Sequence, residues 1–371
     1  MDRAARALRT RWTEVLFVTA VLGAIAFACG PTQLAPLPGV VEFMAPARLA
    51  APGGFVNAAG GNYFHERIDL ELDTRLGPFS IGAVYNSSWG WTWSFDATFK
   101  NGTLRDSTGA RTPMAALANG AAAPGTHWVK VDATRVKTKG GLLHEFDATT
   151  SRLITLRFTS SAYPRLRFNQ QQIGAVWRTS GIDQCTSATA CAPFFTLSYD
   201  AAARLTRIED HAGRTALFSY DAQGRLVSAR DGLDVAKDWP GERYEYAGAF
   251  VSAITNSEGE RIELASDSAG RTTQVRAVGA GDPTWRFTYG LPNASGVSTT
   301  IALDPLGHAS TLAVDSSYRV QSVANPLGER IDFTWSGQRP ASRTLPDGTR
   351  TSWTWANDDV ATETQIGRAH V

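Results

Sequence analysis

Residues 194–226 read FFTLSYDAAARLTRIEDHAGRTALFSYDAQGRL, and they hold two alternating signals. Phe195, Leu197 and Tyr199, then Phe218 and Tyr220, occupy every second position, with Thr196, Ser198 and Ser219 between them. Period-two alternation puts one wall of an extended strand on a core and the other in water. Between the strands stand Asp210-His211-Ala212-Gly213-Arg214 and Asp221-Ala222-Gln223-Gly224-Arg225. Asp caps such a turn through its side chain, and Gly supplies the backbone freedom that the fourth position needs.

The pattern recurs outward from this stretch. Ile262/Leu264, Trp285/Phe287/Tyr289, Ile331/Phe333/Trp335 and Trp353/Trp355 repeat the alternation. Turns at Asn256–Glu260, Asp267-Ser268-Ala269-Gly270-Arg271, Asp304–His308 and Asn325–Glu329 repeat the punctuation. The unit is strand, tight turn, strand, about 20–26 residues long, and one unit cannot bury its apolar face alone. One acid per turn is too few for an EF-hand calcium loop. No helix-period stretch of useful length follows Phe55.

Composition agrees with a folded β protein. The 371 residues are 43% hydrophobic, with 34 Gly and 17 Pro to make turns. The formal charge is +1; residues 1–28 carry four Arg against Asp2 and Glu14, so the rest is about −1. That balance, without any Lys/Arg run, excludes a nucleic-acid footprint.

Residues 1–28 are expected to be a signal peptide, with Arg3, Arg6, Arg9 and Arg11 ahead of an apolar stretch and a small-x-small site ending at Ala28. Cleavage there exposes Cys29, as in a bacterial lipoprotein, so the membrane is touched only through a lipid anchor; ordinary signal cleavage is the alternative. Residues 29–54, rich in Pro, Ala and Gly, are expected to be a tether. Cys185 and Cys191, six residues apart between apolar stretches, form either a hairpin disulfide or two free thiols, and export favours the disulfide.

Candidate chemistry is sparse. No nucleophile elbow, phosphate loop or zinc spacing occurs, and His65, His127, His144, His211 and His308 lie in separate contexts. The expectation is no enzyme, no cofactor and no metal. Trp89, Trp91 and Trp93 share one face if extended; they fill a buried face or form a platform for sugar rings.

The repeats resemble the YD repeats of the RHS family. Tyr199-Asp200 and Tyr220-Asp221 carry the name-giving pair, and Tyr220 to Leu226, with Asp231-Gly232 following, is the fullest match. Gly213, Arg214, Gly224, Arg225, Gly270 and Arg271 complete the signature, while Ser266-Asp267 and Trp335-Ser336 depart from it. Residues 55–114 are similar to the domain that precedes such repeats. The resemblance implies an all-β fold of repeated hairpins forming a curved, open, shell-like sheet. The division expected is an N-terminal β domain at 55–195 and repeats at 196–365. It also implies an exported scaffold, the shell of a toxin carrier whose own C-terminal region is the enclosed partner. The alternative is an envelope-anchored adhesion protein with a glycan or surface partner. Ile366 to Val371 looks like a translated sequencing adapter, so residues 366–371 are expected not to be biological.

Overall fold

In a computed structural model, which describes residues 48–124, 126–279, 281–356 and 359–367, the alternating stretches are strands and the Asp/Asn turns join them. The expected signal peptide, Ala28, Cys29 and residues 368–371 lie outside the described residues.

Five strands, β1 (Arg48–Ala51), β2 (Gly54–Asn57), β3 (Tyr63–Thr74), β4 (Gly77–Asn86) and β5 (Gly90–Trp93), pair in chain order. The expected tether therefore gives way to structure before residue 54, because β1 pairs with β2 from Arg48↔Asn57 to Ala51↔Gly54. A small three-stranded sheet follows: β6 (Thr98–Lys100), β7 (Thr103–Arg105) and β8 (Arg111–Pro113).

The rest is one meander of 22 antiparallel strands, from β9 (Trp128–Lys130) to β30 (Asp359–Ile366). Its first and last strands do not pair with each other among the described residues, so the sheet is open. It also runs unbroken through the boundary expected at 195/196, which falls inside the strand Cys191–Tyr199. Repeat periodicity is visible in sequence only where the turns are regular. Strand pairing continues upstream of them.

A sheet this wide must curl, because strand twist accumulates. The repeats add a regular device for it. Register shifts fall between Ser198 and Tyr199, Ser219 and Tyr220, Glu245 and Tyr246, Thr334 and Trp335, and Thr354 and Trp355. Each leaves one extra residue on the returning strand, such as Thr206 or Val227, and such bulges increase local twist.

The five-stranded N-terminal sheet seats on one face of this wall. Val56, Tyr63, Ile81 and Tyr85 from that sheet join Phe195, Ile208, Tyr244, Ile254, Ile262 and Phe287 from the wall in one buried cluster. Each large apolar side chain fully buried in this way contributes about 1.5–3 kcal/mol. The single helix among the described residues, α1 (Gly232–Lys237), begins where the repeat motif closes: Asp231 Oδ1 accepts from the backbone N of Leu233 and Asp234, both at 2.8 Å.

Candidate functional site

The signature residues build the joint between successive repeats. Asp221 caps its turn: Oδ1 accepts from the backbone N of Gln223 at 3.0 Å and of Arg225 at 2.9 Å, and Oδ2 accepts from Arg225 Nε at 2.7 Å. Asp200/Arg204, Asp210/Arg214, Asp267/Arg271 and Asp315/Arg319 repeat this lock. Against the upward push of burial, these N–H donors and the arginines hold Asp200, Asp221, Asp267 and Asp315 below the usual carboxylate range.

The locked arginine then meets the next repeat. Arg204 lies 5.1 Å from the Tyr220 ring centre, Arg225 4.7 Å from Tyr246 and Arg271 4.8 Å from Tyr289. Each of those tyrosines donates its hydroxyl to the carbonyl immediately after that arginine: Leu205 at 2.8 Å, Leu226 at 2.7 Å and Thr272 at 2.7 Å. Tyr199 makes the first such bond, to Thr179 O at 2.7 Å. Burial raises the hydroxyl pKa of Tyr199, Tyr220 and Tyr289, so they stay neutral donors.

Two departures from the motif turn out to preserve its chemistry. Trp335 Nε1 donates to Val320 O at 2.7 Å, and Trp355 Nε1 to Pro340 O at 2.7 Å, so indole replaces phenol as the donor. At two turns where Asn replaces Asp, Glu replaces Arg: Asn256 Nδ2 donates to Glu260 Oε2 at 2.8 Å, and Asn325 Nδ2 to Glu329 Oε2 at 2.7 Å. In these turns the fifth residue complements the first, a pairing that reading for a basic residue misses. Asn293–Val297 and Asp106–Ala110 close the same backbone turn with an apolar fifth residue.

The second notable region is the seam between the N-terminal sheet and the wall, and the sequence reading missed it. His65, Arg67 and Asp69 alternate on β3, in phase with buried Tyr63, and all are buried. A register shift between Ile68 and Leu70 makes Asp69 the extra residue and flips the phase after it, so Leu70 is buried beside Asp69. Opposite stands the wall strand Glu242–Ala247, whose alternate residues Glu242, Tyr244 and Tyr246 face the seam. Arg67 ion-pairs with Asp69 and donates from Nη1 to Tyr244 Oη at 2.9 Å; Tyr244 donates on to Glu242 Oε2 at 2.6 Å. His65 Nε2 lies 3.1 Å from the same Glu242 oxygen. Burial pushes the Asp69 carboxyl up to about 7 against the pull of Arg67. For Glu242 the upward push of burial loses to His65 and Arg67, and its pKa falls to about 2.

Neutral bonds fasten the same seam. Tyr85 Oη accepts from Val251 N at 2.8 Å, Gly61 O from Thr272 N at 2.8 Å, and Ala58 O from Thr300 Oγ1 at 2.6 Å. Arg214, locked by Asp210, reaches Glu71 O on β3 at 2.8 Å. The signal available in sequence was three charged groups on the core phase of a strand, which requires partners from elsewhere.

The three tryptophans do not form a row. Trp89 sits in the turn before β5, half exposed, with Arg111 5.7 Å from its ring. Trp91 turns into the seam, donating from Nε1 to Tyr246 Oη at 3.0 Å, and Trp93 packs edge-on to Phe218 at 4.7 Å. The expectation of one shared face assumed a strand through residue 89, and the tight turn at Gly90 (φ +80°) breaks it. Cys185 and Cys191 face each other across a strand pair and are joined as a disulfide, S–S 2.04 Å.

A cavity of about 120 Å³ separates the outer face of the N-terminal sheet from the first wall strands, lined by Ile68, Ser94, Leu104, Trp128, His144 and Phe168. Burial lowers His144, and burial with Lys139 lowers His127, both to about 4, so both are neutral near pH 7. Among the described residues no cluster of three or more His, Cys, Asp or Glu could hold a metal ion. Among the same residues no helix is long and apolar enough to cross a membrane.

These features define an antiparallel β-repeat wall in which Tyr199, Tyr220, Tyr246, Tyr289, Trp335 and Trp355 each bond their hairpin to the preceding one. Residues 199–235 match the family model described as RHS Repeat, so that stretch of the chain is RHS-repeat sequence. No curated protein matches it. Among solved structures, TcdB2-TccC3 without its hypervariable C-terminal region aligns over 83% of this chain at 11% identity and TM-score 0.38. The complex titled TcdB2-TccC3-Cdc42 aligns over 81% at 10% identity and TM-score 0.38. The Photorhabdus luminescens Tc holotoxin pore aligns over 84% at 11% identity and TM-score 0.29. The chain spans 18%, 18% and 20% of those chains, about a fifth of their length.

Proposed function

We propose that this chain is part of the wall of an exported carrier shell, a non-enzymatic scaffold that encloses a toxin region of its own longer polypeptide. The observation that carries the reading is the open 22-strand sheet with one face already occupied by the N-terminal sheet. In this reading the wall and the sheet seated on it form one side of an enclosed space, and every signature residue has a structural bond to account for it. Family resemblance supplies the cargo. In this reading the first 28 residues direct export, and Cys29 is the site of lipid attachment if cleavage follows Ala28.

Limited proteolysis of the full-length gene product tests the proposal. Sequence C-terminal to the wall should resist protease in the native protein and be digested after denaturation. Equal digestion before and after denaturation would remove the enclosing role. Mass spectrometry of the mature N-terminus decides between a lipidated Cys29 and a free one.

A further inference from the structure

The seam contains a hydrogen-bond count that a neutral histidine cannot satisfy. His65 is 4% exposed, and both of its ring nitrogens face acceptors. Nδ1 lies 2.7 Å from Gly53 O, in the turn between β1 and β2, and Nε2 lies 3.1 Å from Glu242 Oε2 on the wall. A backbone carbonyl has no proton to give. Glu242 is kept ionised by the Tyr244 hydroxyl at 2.6 Å and the Arg67 guanidinium at 3.9 Å. Neutral imidazole carries one N–H and imidazolium carries two, so only the cation fills both contacts. We propose that His65 is a proton-operated latch: the N-terminal sheet docks on the repeat wall with His65 as imidazolium, and docking takes up a proton.

The other charged groups around the ring fit this sign. From β3, Arg67 opposes a second cation, and Asp69 lies in contact with Arg67. From the wall, Glu242 is the counter-ion and Tyr244 a neutral bridge. The Trp91 ring from β5 stands edge-on to His65 at 6.2 Å. Asp231, the cap of α1, and Glu242 both act to raise Asp69, whose proton is also held more tightly when docked. For His65, burial works against the cation but Glu242 outweighs it, and the net shift is upward from 6.5. The latch therefore contributes fully below about pH 6.5 and is lost as pH rises through the docked value. Between the two, the docking constant falls about tenfold per pH unit for one proton. This inference concerns two sheets of one chain and stands whether or not a cargo is enclosed.

Nitrogen-15 NMR of the histidine-labelled full chain tests it, with the His65 signal assigned by its absence in His65→Gln. At pH 6 both ring nitrogens should carry protons, with a midpoint above 6.5. Amide exchange in β3, corrected for intrinsic base catalysis, should speed up as pH rises through that midpoint, and His65→Gln should lose that part of the dependence. A neutral ring at pH 6, a midpoint below 6.5, or identical pH profiles for His65→Gln and the parent would overturn the latch. If His65→Gln does not fold, Glu242→Gln serves. It must lower the His65 midpoint, and an unmoved midpoint refutes the proposal.

Discussion

Two turns of this wall differ only at their ends. Asp304-Pro305-Leu306-Gly307-His308 and Asn325-Pro326-Leu327-Gly328-Glu329 share backbone geometry, each closing with bonds of 3.0 Å from first N to fifth O and from Gly N to first O. In the first, Asp304 Oδ2 and His308 Nδ1 are 2.9 Å apart; in the second, Asn325 Nδ2 and Glu329 Oε2 are 2.7 Å apart. His308→Glu alone places two carboxylates at that spacing. At 2.9 Å in water-like dielectric the repulsion is about 1.4 kcal/mol, and salt reduces it to about 1 kcal/mol. Asp304→Asn alone should stay within about 0.5 kcal/mol, since the amide oxygen keeps the bonds from Leu306 N and His308 N and an exposed pair contributes little. The double variant converts one natural turn into the other and should recover nearly all the loss, a coupling of about 1 kcal/mol. Urea unfolding at pH 7, with hydrogen exchange of Ser298–Leu303 and Ala309–Val314 as the local readout, measures the cycle. At pH 4 the penalty of the single Glu variant should shrink, because the two carboxylates then share a proton. Coupling below about 0.3 kcal/mol would refute the complement rule for these turns.

Other consequences are equally direct. Tyr220→Phe removes the donor to Leu205 O and should cost about 1 kcal/mol in urea unfolding; no change would deny the hydroxyl a role in the joint. Gly328→Ala, at φ +82° with open space around a new Cβ, should cost about 1–2 kcal/mol from backbone conformation alone. Gly270→Ala, at φ +78° with the Phe250 ring 2.8 Å from that Cβ, should cost about 1–3 kcal/mol more, so equal losses would contradict the packing. Reducing Cys185–Cys191, whose partners are six residues apart, should lower stability by about 2 kcal/mol by the chain-entropy estimate. An unchanged urea midpoint in reductant would count against it.

Much of the wall was legible because its rules are local. A strand with Phe218 and Tyr220 on one phase, followed by Asp221-Ala222-Gln223-Gly224-Arg225, states its own conformation within a dozen residues. The strand Glu242–Ala247 was harder to see, since Tyr246 is followed by Ala247 and no Asp turn marks it. The start of the sheet at Trp128 was not visible for the same reason: the short strands there carry no repeated turn.

The amino-acid order by itself determined the all-β class, the hairpin repeat and the residues of each turn lock, because capping, φ preference and period-two alternation act between near neighbours in the chain. Only the tertiary structure decided where each Tyr or Trp donor finds its carbonyl, 15 to 20 residues back. It alone decided that His65, Arg67 and Asp69 would meet Glu242 and Tyr244 across some 177 residues. A buried charge requires a partner, but nothing in its own segment says which distant strand will supply it. Curvature of the wall and the seating of the N-terminal sheet make that choice.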